Sequence, residues 1–84
     1  MNNERDLALG RYTMLKKQIY ELGMLGQSHV ESIQKEIATF TSEKDFTSMD
    51  FQKVETLAKE LQKLQSTFVE KSRQMFHLKE TFNF

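Results

Sequence analysis

The stretch ELGMLGQSHVES, residues 21–32, decides whether this chain of 84 residues folds into two helices or three. Gly23 and Gly26 favour a break, because each glycine costs about 1 kcal/mol relative to alanine inside a helix. Ser28 followed by Glu31 also fits the capping box that begins a new helix. A break here would leave a short helix of about 13 residues, over residues 28–40, next to a much longer second helix.

The apolar spacing across the same stretch favours continuity. Leu22 and Val30 are separated by two steps of four residues through Gly26, and such a step unwinds a helical seam slightly without ending it. A helix over residues 3–40 would be ~57 Å long, close to the ~52 Å of the second helix, as an antiparallel hairpin requires. We therefore predict one helix over about residues 3–40, with Asn3 as its N-cap.

Both halves of the chain carry an apolar stripe with the three-and-four spacing of a helical seam. The stripe of the first half consists of Tyr12, Leu15, Ile19, Leu22, Val30, Ile33, Ile37 and Phe40. The stripe of the second half consists of Val54, Leu57, Leu61, Leu64, Phe68, Met75, Leu78 and Phe82. Lys71 interrupts the second stripe, either as a lysine whose stem covers apolar surface or as a residue that specifies pairing.

The polar connector TSEKDFT, residues 41–47, is short enough to make the two helices antiparallel. We predict the second helix over about residues 48–82, with Thr47 as its N-cap and Phe46 and Phe51 as a hydrophobic staple. A reversal near residue 45 pairs residues whose numbers sum to about 90. Gly26 would then face Leu64 and make room for its large side chain. The predicted fold is an all-α antiparallel hairpin forming a single domain.

A second buried surface is also expected. One seam between two helices supplies about half of the apolar burial needed to order a chain of this length. Apolar residues outside the seam gather at the end of the hairpin that holds both termini, and exposed apolar patches mark interfaces. The candidate interface residues are Leu9, Met14, Tyr20, Met24, Leu25, Val69, Phe76, Phe82 and Phe84. We predict dimerisation to a four-helix bundle, or the binding of a helix from another protein.

The composition excludes several classes of function. Twelve basic and twelve acidic residues balance to a net charge of zero, which argues against a dedicated nucleic-acid binder. The chain lacks Cys and has no Gly-rich phosphate loop, and neither His29 nor His77 belongs to a metal-binding helical motif. We therefore predict no enzyme activity, cofactor, metal site or small-molecule substrate. No apolar run is long enough to span a bilayer, and no signal peptide is visible, so the predicted location is the cytoplasm.

The leading hypothesis is a small adaptor, chaperone-like protein or regulator that acts through protein–protein contacts. Two alternatives stay open: a four-helix bundle that binds nucleic acid on a charged face, and a structural subunit of a larger assembly. The chain has no Trp and so lacks the Trp-x-Gly turn of small secreted helical hairpins, and we assign it to no family from its sequence.

Overall fold

The computed structural model of the protein describes residues 2–43 and 46–84, which form two long helices. Helix α1 spans Asn2–Glu43, a 3-10 helix spans Phe46–Ser48, and helix α2 spans Phe51–Phe82. The two long helices pack side by side as an antiparallel hairpin with extents of 64 × 15 × 14 Å. The predicted all-α hairpin is confirmed. The predicted reversal near residue 45 lies outside the described residues.

Helix α1 runs without interruption through Gly23 and Gly26, as the apolar spacing predicts. A Cβ atom added to Gly23 would lie 3.8 Å from Phe68 Cε2, and one added to Gly26 would lie 3.8 Å from Leu61 Cδ1. The side chain nearest to Gly26 is therefore that of Leu61, and the predicted contact of Gly26 with Leu64 is wrong. Both distances are ordinary van der Waals contacts, so the steric need for glycine at position 26 is also not supported.

Helix α2 begins three residues later than predicted, because Asp50 rather than Thr47 is its N-cap. The Asp50 carboxylate accepts a hydrogen bond of 2.9 Å from the backbone N–H of Lys53, which satisfies one free donor of the first turn. With the cap at Asp50, the staple positions belong to Met49 and Val54, and the predicted staple of Phe46 and Phe51 is wrong.

The bounds of α1 extend beyond the predicted ones at both ends. Asn3 lies inside the helix, which begins at Asn2, so its assignment as N-cap is wrong. At the other end the helix continues to Glu43, three residues past the predicted end. The hydrogen bonds between backbone groups one turn apart favour this continuation, since each added residue gains one bond once a helix is formed.

The core is a single narrow seam between the two helices. Among the described side chains, Ala8 and Leu15 of α1 are buried, and none of those of α2 is. The other described seam side chains of α1 are half-buried, apart from Ile37, which is exposed. Each helix is thus covered along one line only, and most of its circumference remains accessible.

An aromatic cluster packs the end of the hairpin opposite the connection. Asn83 adopts the left-handed conformation, with φ 56° and ψ 52°, and thereby turns the chain back at the end of α2. The Phe84 ring then lies 5.2 Å from that of Tyr12 and 5.8 Å from that of Phe82, measured between ring centroids. The Arg5 guanidinium stacks 5.1 Å from the centre of the Phe84 ring and donates a hydrogen bond to the Phe82 carbonyl.

Candidate interaction surface

The two grooves between the helices run along opposite flanks of the hairpin, and they differ in chemistry. Along one flank, three polar pairs join α1 to α2. The pairs are His29 Nε2 with Glu60 Oε2 at 2.9 Å, Lys53 Nζ with Glu36 Oε1 at 2.7 Å, and Lys71 Nζ with Gln18 Oε1 at 2.9 Å. We call the side of the hairpin that carries these six residues the polar flank. In each pair the two residue numbers sum to 89, close to the predicted register.

Lys71, which interrupts the apolar stripe of α2, finds its partner on this flank. Its ammonium group reaches the side-chain oxygen of Gln18 while its own side chain stays half-buried. The long aliphatic stem covers apolar surface and the charged end makes a hydrogen bond, which is the behaviour expected of an amphipathic side chain. A polar residue in the seam is thereby accommodated with a hydrogen-bond acceptor for its ammonium group.

Both ring nitrogens of His29 have hydrogen-bond partners on the polar flank. Its Nδ1 lies 2.9 Å from the Leu25 carbonyl oxygen, and its Nε2 lies 2.9 Å from Glu60 Oε2. Both partners are acceptors, so only a ring that is protonated on both nitrogens donates to the two of them. The hydrogen bond to the Leu25 carbonyl, followed by the hydrogen bond to Glu60, raises the pKa of His29 above its ordinary value of 6.5. Likewise, the Glu36 carboxylate raises the pKa of Lys53.

The opposite flank is apolar along its centre. Its groove between the helices is lined by Ile19, Tyr20, Gly23, Met24, Gln27, Ser28, Glu31 and Phe68. Tyr20 and Met24 are exposed large side chains of α1, and Phe68 lies beside them on α2. Leu9 joins the same face, because it lies 11 residues, or about three turns, before Tyr20.

Helix α2 continues this flank with an uncharged stripe. The stripe consists of Ala58, Gln62, Gln65, Val69, Ser72 and Phe76, which are separated by steps of three and four. Ala58, Gln62 and Gln65 line a second groove on this flank, together with Ile33 and Leu61. Val69 and Phe76 are both exposed, and the register places Val69 level with Tyr20. We call the surface formed by Tyr20, Met24, Phe68, Val69 and Phe76 the apolar flank.

The structure distributes the nine predicted interface residues over three places. Five of them lie on the apolar side of the hairpin: Leu9, Tyr20, Met24, Val69 and Phe76. Met14 and Leu25 are exposed on the polar side, where Leu25 borders the groove that also contains His29 and Glu60. Phe82 and Phe84 are half-buried in the aromatic cluster of their own chain, so most of their surface is already in use.

Phe68 is the member of the apolar flank that the sequence analysis did not single out. It belongs to the seam by its spacing, yet 38% of it stays exposed, because it lies at the border between the seam and the flank. The uncharged stripe of α2 was also missed. Its signal was present in the sequence as six uncharged residues at helical spacing in a chain where 29% of residues are charged.

The described residues provide no other site with recognisable chemistry. Within residues 2–43 and 46–84, no three His, Asp or Glu side chains are arranged so that they could hold a metal ion. Neither of the two helices, as far as they are described, contains a segment long and apolar enough to cross a membrane. Comparisons with protein-family models, with curated proteins and with solved structures give no match for this chain.

Proposed function

We propose that this protein is a protein–protein interaction module that associates with a second copy of itself through the apolar flank. The observation that supports this most directly is the contrast between the two flanks. Charged residues are depleted at the centres of protein interfaces, whereas aromatic residues and Met are enriched there. Tyr20, Met24, Phe68, Val69 and Phe76 form such a surface on one side of the hairpin, and the charged pairs lie on the other.

The total accessible surface supports the same proposal. The chain exposes 6783 Å², and a monomeric protein of 9.9 kDa is expected to expose about 5,200 Å². The excess of about 1,600 Å² for each chain lies within the range that each subunit of an obligate homodimer buries, about 1,000–2,500 Å². A hairpin with a single narrow seam gains further burial only from an external surface, and a second hairpin of equal length offers the most.

The second copy is the occupant that best fits the shape and chemistry of this surface. Two hairpins, each 64 Å long, that stack with their apolar flanks together give a four-helix bundle, in which every helix has two neighbours. A single partner helix would cover one groove and leave the uncharged stripe of α2 partly exposed. In the bundle, Met24 and Phe76 would be enclosed between the hairpins. The resulting function is that of a small scaffold or regulator that presents its outer, charged faces to other molecules.

A matched pair of methionine substitutions tests the proposal. Met14 and Met24 lie on the same helix and are exposed to 60% and 59%. Met24 lines the apolar groove, whereas Met14 lies about three turns before Leu25, which lines the groove on the polar flank. We expect sedimentation equilibrium to show a dimer for the wild type and for Met14→Glu, and a monomer for Met24→Glu. Helix content by circular dichroism should stay largely unchanged in both variants, because both positions are exposed within the hairpin.

Phe76→Glu provides a second variant on the apolar flank, and it should also dissociate the dimer while the helices persist. The wild-type dimer should respond weakly to salt, because an apolar interface releases few counterions. A wild-type chain that stays monomeric at concentrations near 100 µM, or equal dissociation of Met14→Glu and Met24→Glu, would contradict the proposal. Capture of another protein by monomeric hairpins would instead indicate a foreign partner helix.

A further inference from the structure

On the apolar side of α1, basic residues lie at one end of an uncharged part, Lys16 with its neighbour Lys17, and Glu31 lies at the other end. Lys16, Tyr20, Met24, Gln27 and Glu31 follow one another on this face at steps of three and four. The two charged residues stand at the ends of the uncharged part, each about 11 Å from the point midway between residues 23 and 24. That point is also within about one residue of the middle of α1, which spans Asn2–Glu43.

The residues of the uncharged stripe of α2 are also placed symmetrically about one point, which lies at nearly the same level along the hairpin. Across that point, a large side chain is matched by a small one. Phe76 and Ala58 each lie nine residues from position 67, and Val69 and Gln65 each lie two residues from it. The register of the hairpin places position 67 level with position 22 of α1. The centres of the two patterns therefore coincide to within about 3 Å along the hairpin.

We propose that the two copies stack antiparallel, with their connections at opposite ends, about a two-fold axis that lies between the hairpins, perpendicular to the helices and level with Gly23. This inference rests on the proposed dimer and specifies its geometry. In this arrangement Lys16 of each copy lies opposite Glu31 of the second copy, so two opposite-charge contacts border the interface. The Phe76 ring lies over the small Ala58 of the second copy, and this large-to-small contact occurs twice.

The alternative two-fold dimer, with both connections at the same end, lacks this complementarity. Each α1 would then pack on α2 of the second copy at equal levels along the bundle. The register would bring Lys16 level with Arg73, so that like charges would approach one another twice. Phe76 would lie level with Thr13, and Ala58 level with the charged Glu31 rather than with a large side chain.

A distance measurement between two spin labels distinguishes the two dimers. The chain has no Cys, so Gln52→Cys introduces one label for each copy at an exposed position near the connection. Position 52 lies level with residue 37 of α1, so the antiparallel dimer should give a separation of about 40 Å at 1.5 Å per residue. The dimer with both connections at one end should give less than about 25 Å, the width of such a bundle.

If the measured separation differs from the one expected for the antiparallel dimer, the molecular mass of the labelled sample shows which of the two proposals is wrong. A dimer with a short distance overturns the antiparallel arrangement and leaves the self-association intact. A monomer without a dipolar signal overturns both. A dimer with a distance near 40 Å supports both proposals.

A charge exchange tests the two contacts themselves. Lys16→Glu and Glu31→Lys should each weaken dimerisation about tenfold, because each replaces two attractions by two repulsions at the border of the interface. The double variant restores opposite charges and should return the dissociation constant to within about threefold of the wild type. Glu21→Lys, seven residues after Met14 and therefore on the same side of α1 as Met14, is the matched control and should change it by less than about twofold. A double variant that is weaker than either single variant would overturn the assignment.

Discussion

The two flanks of the hairpin are formed by the same two helices, yet the side chains that they expose differ in chemistry. On the polar flank, ammonium, imidazole and carboxylate groups cross the groove and join the helices directly. On the apolar flank, Tyr20, Met24, Val69 and Phe76 stay exposed beside a stripe without charge. Polar pairs at the surface contribute little stability but discourage apolar association. The comparison is thus the basis for the proposal that the apolar flank, rather than the polar flank, contacts another surface.

Substitution of a buried residue in the seam should have the largest effect on the free energy of unfolding, because both flanks depend on the packing of the seam. Leu15 is 5% exposed, and Leu15→Ala should lower the free energy of unfolding by about 2–5 kcal/mol. Leu7 is 77% exposed, so Leu7→Ala serves as the control and should change it by less than about 0.5 kcal/mol. Urea denaturation measures both. Similar values for the two variants would mean that the seam is not the core.

A substitution at Gly26 should strengthen the hairpin beneath the apolar flank. A methyl group there would meet Leu61 Cδ1 at an ordinary 3.8 Å, so alanine gains helix propensity without a clash. Gly26→Ala should raise the free energy of unfolding by about 1 kcal/mol. Gly10→Ala, where nothing lies within 4 Å of the added atom, should give a similar gain and is the control. Destabilisation by Gly26→Ala alone, in thermal unfolding, would show that the packing at Leu61 needs glycine.

Removal of one ion pair on the polar flank should have a smaller effect. Glu36→Gln leaves Lys53 without its carboxylate partner at 2.7 Å. The Lys53 side chain is 55% exposed, so solvent screens the charge and the loss in unfolding free energy should stay below about 1 kcal/mol. The dimer dissociation constant should not change. If Glu36→Gln dissociated the dimer as strongly as Met24→Glu, measured by sedimentation, the functional difference between the flanks would be wrong.

A pH dependence confined to the polar flank is the smallest expected effect. The pKa of His29 is raised in the fold by its hydrogen bonds to Leu25 and Glu60, so the charged ring is favoured by folding. Its stabilisation is fully present below about pH 6.5, the unfolded value, and is lost as the pH rises through the higher pKa of the folded state. The melting temperature should therefore fall more between pH 6 and pH 8 in the wild type than in His29→Gln. Equal falls in both proteins would contradict the contact, and the dimer should be indifferent to this change.

Spacing along the chain was sufficient to predict the hairpin, its register and its uninterrupted first helix. Two apolar stripes of matching length require two long helices, and the phase kept from Leu22 to Val30 outweighs the two glycines. The start of α2 was not predicted correctly, because Thr47 and Asp50 are both good caps and the local sequence does not choose between them. Which of them caps the helix depends on the path of the chain into α2.

The division of the surface into two flanks came only from the packed structure. Apolar residues outside the seam are visible in the sequence, but Met14 and Met24 look equivalent there. They differ once α2 lies beside α1, because its rotation about its own axis decides which groove receives Glu60 and Lys71 and which receives Phe68. Periodicity specifies a helical face from residues close in the chain, whereas a flank is made by side chains that are far apart in it.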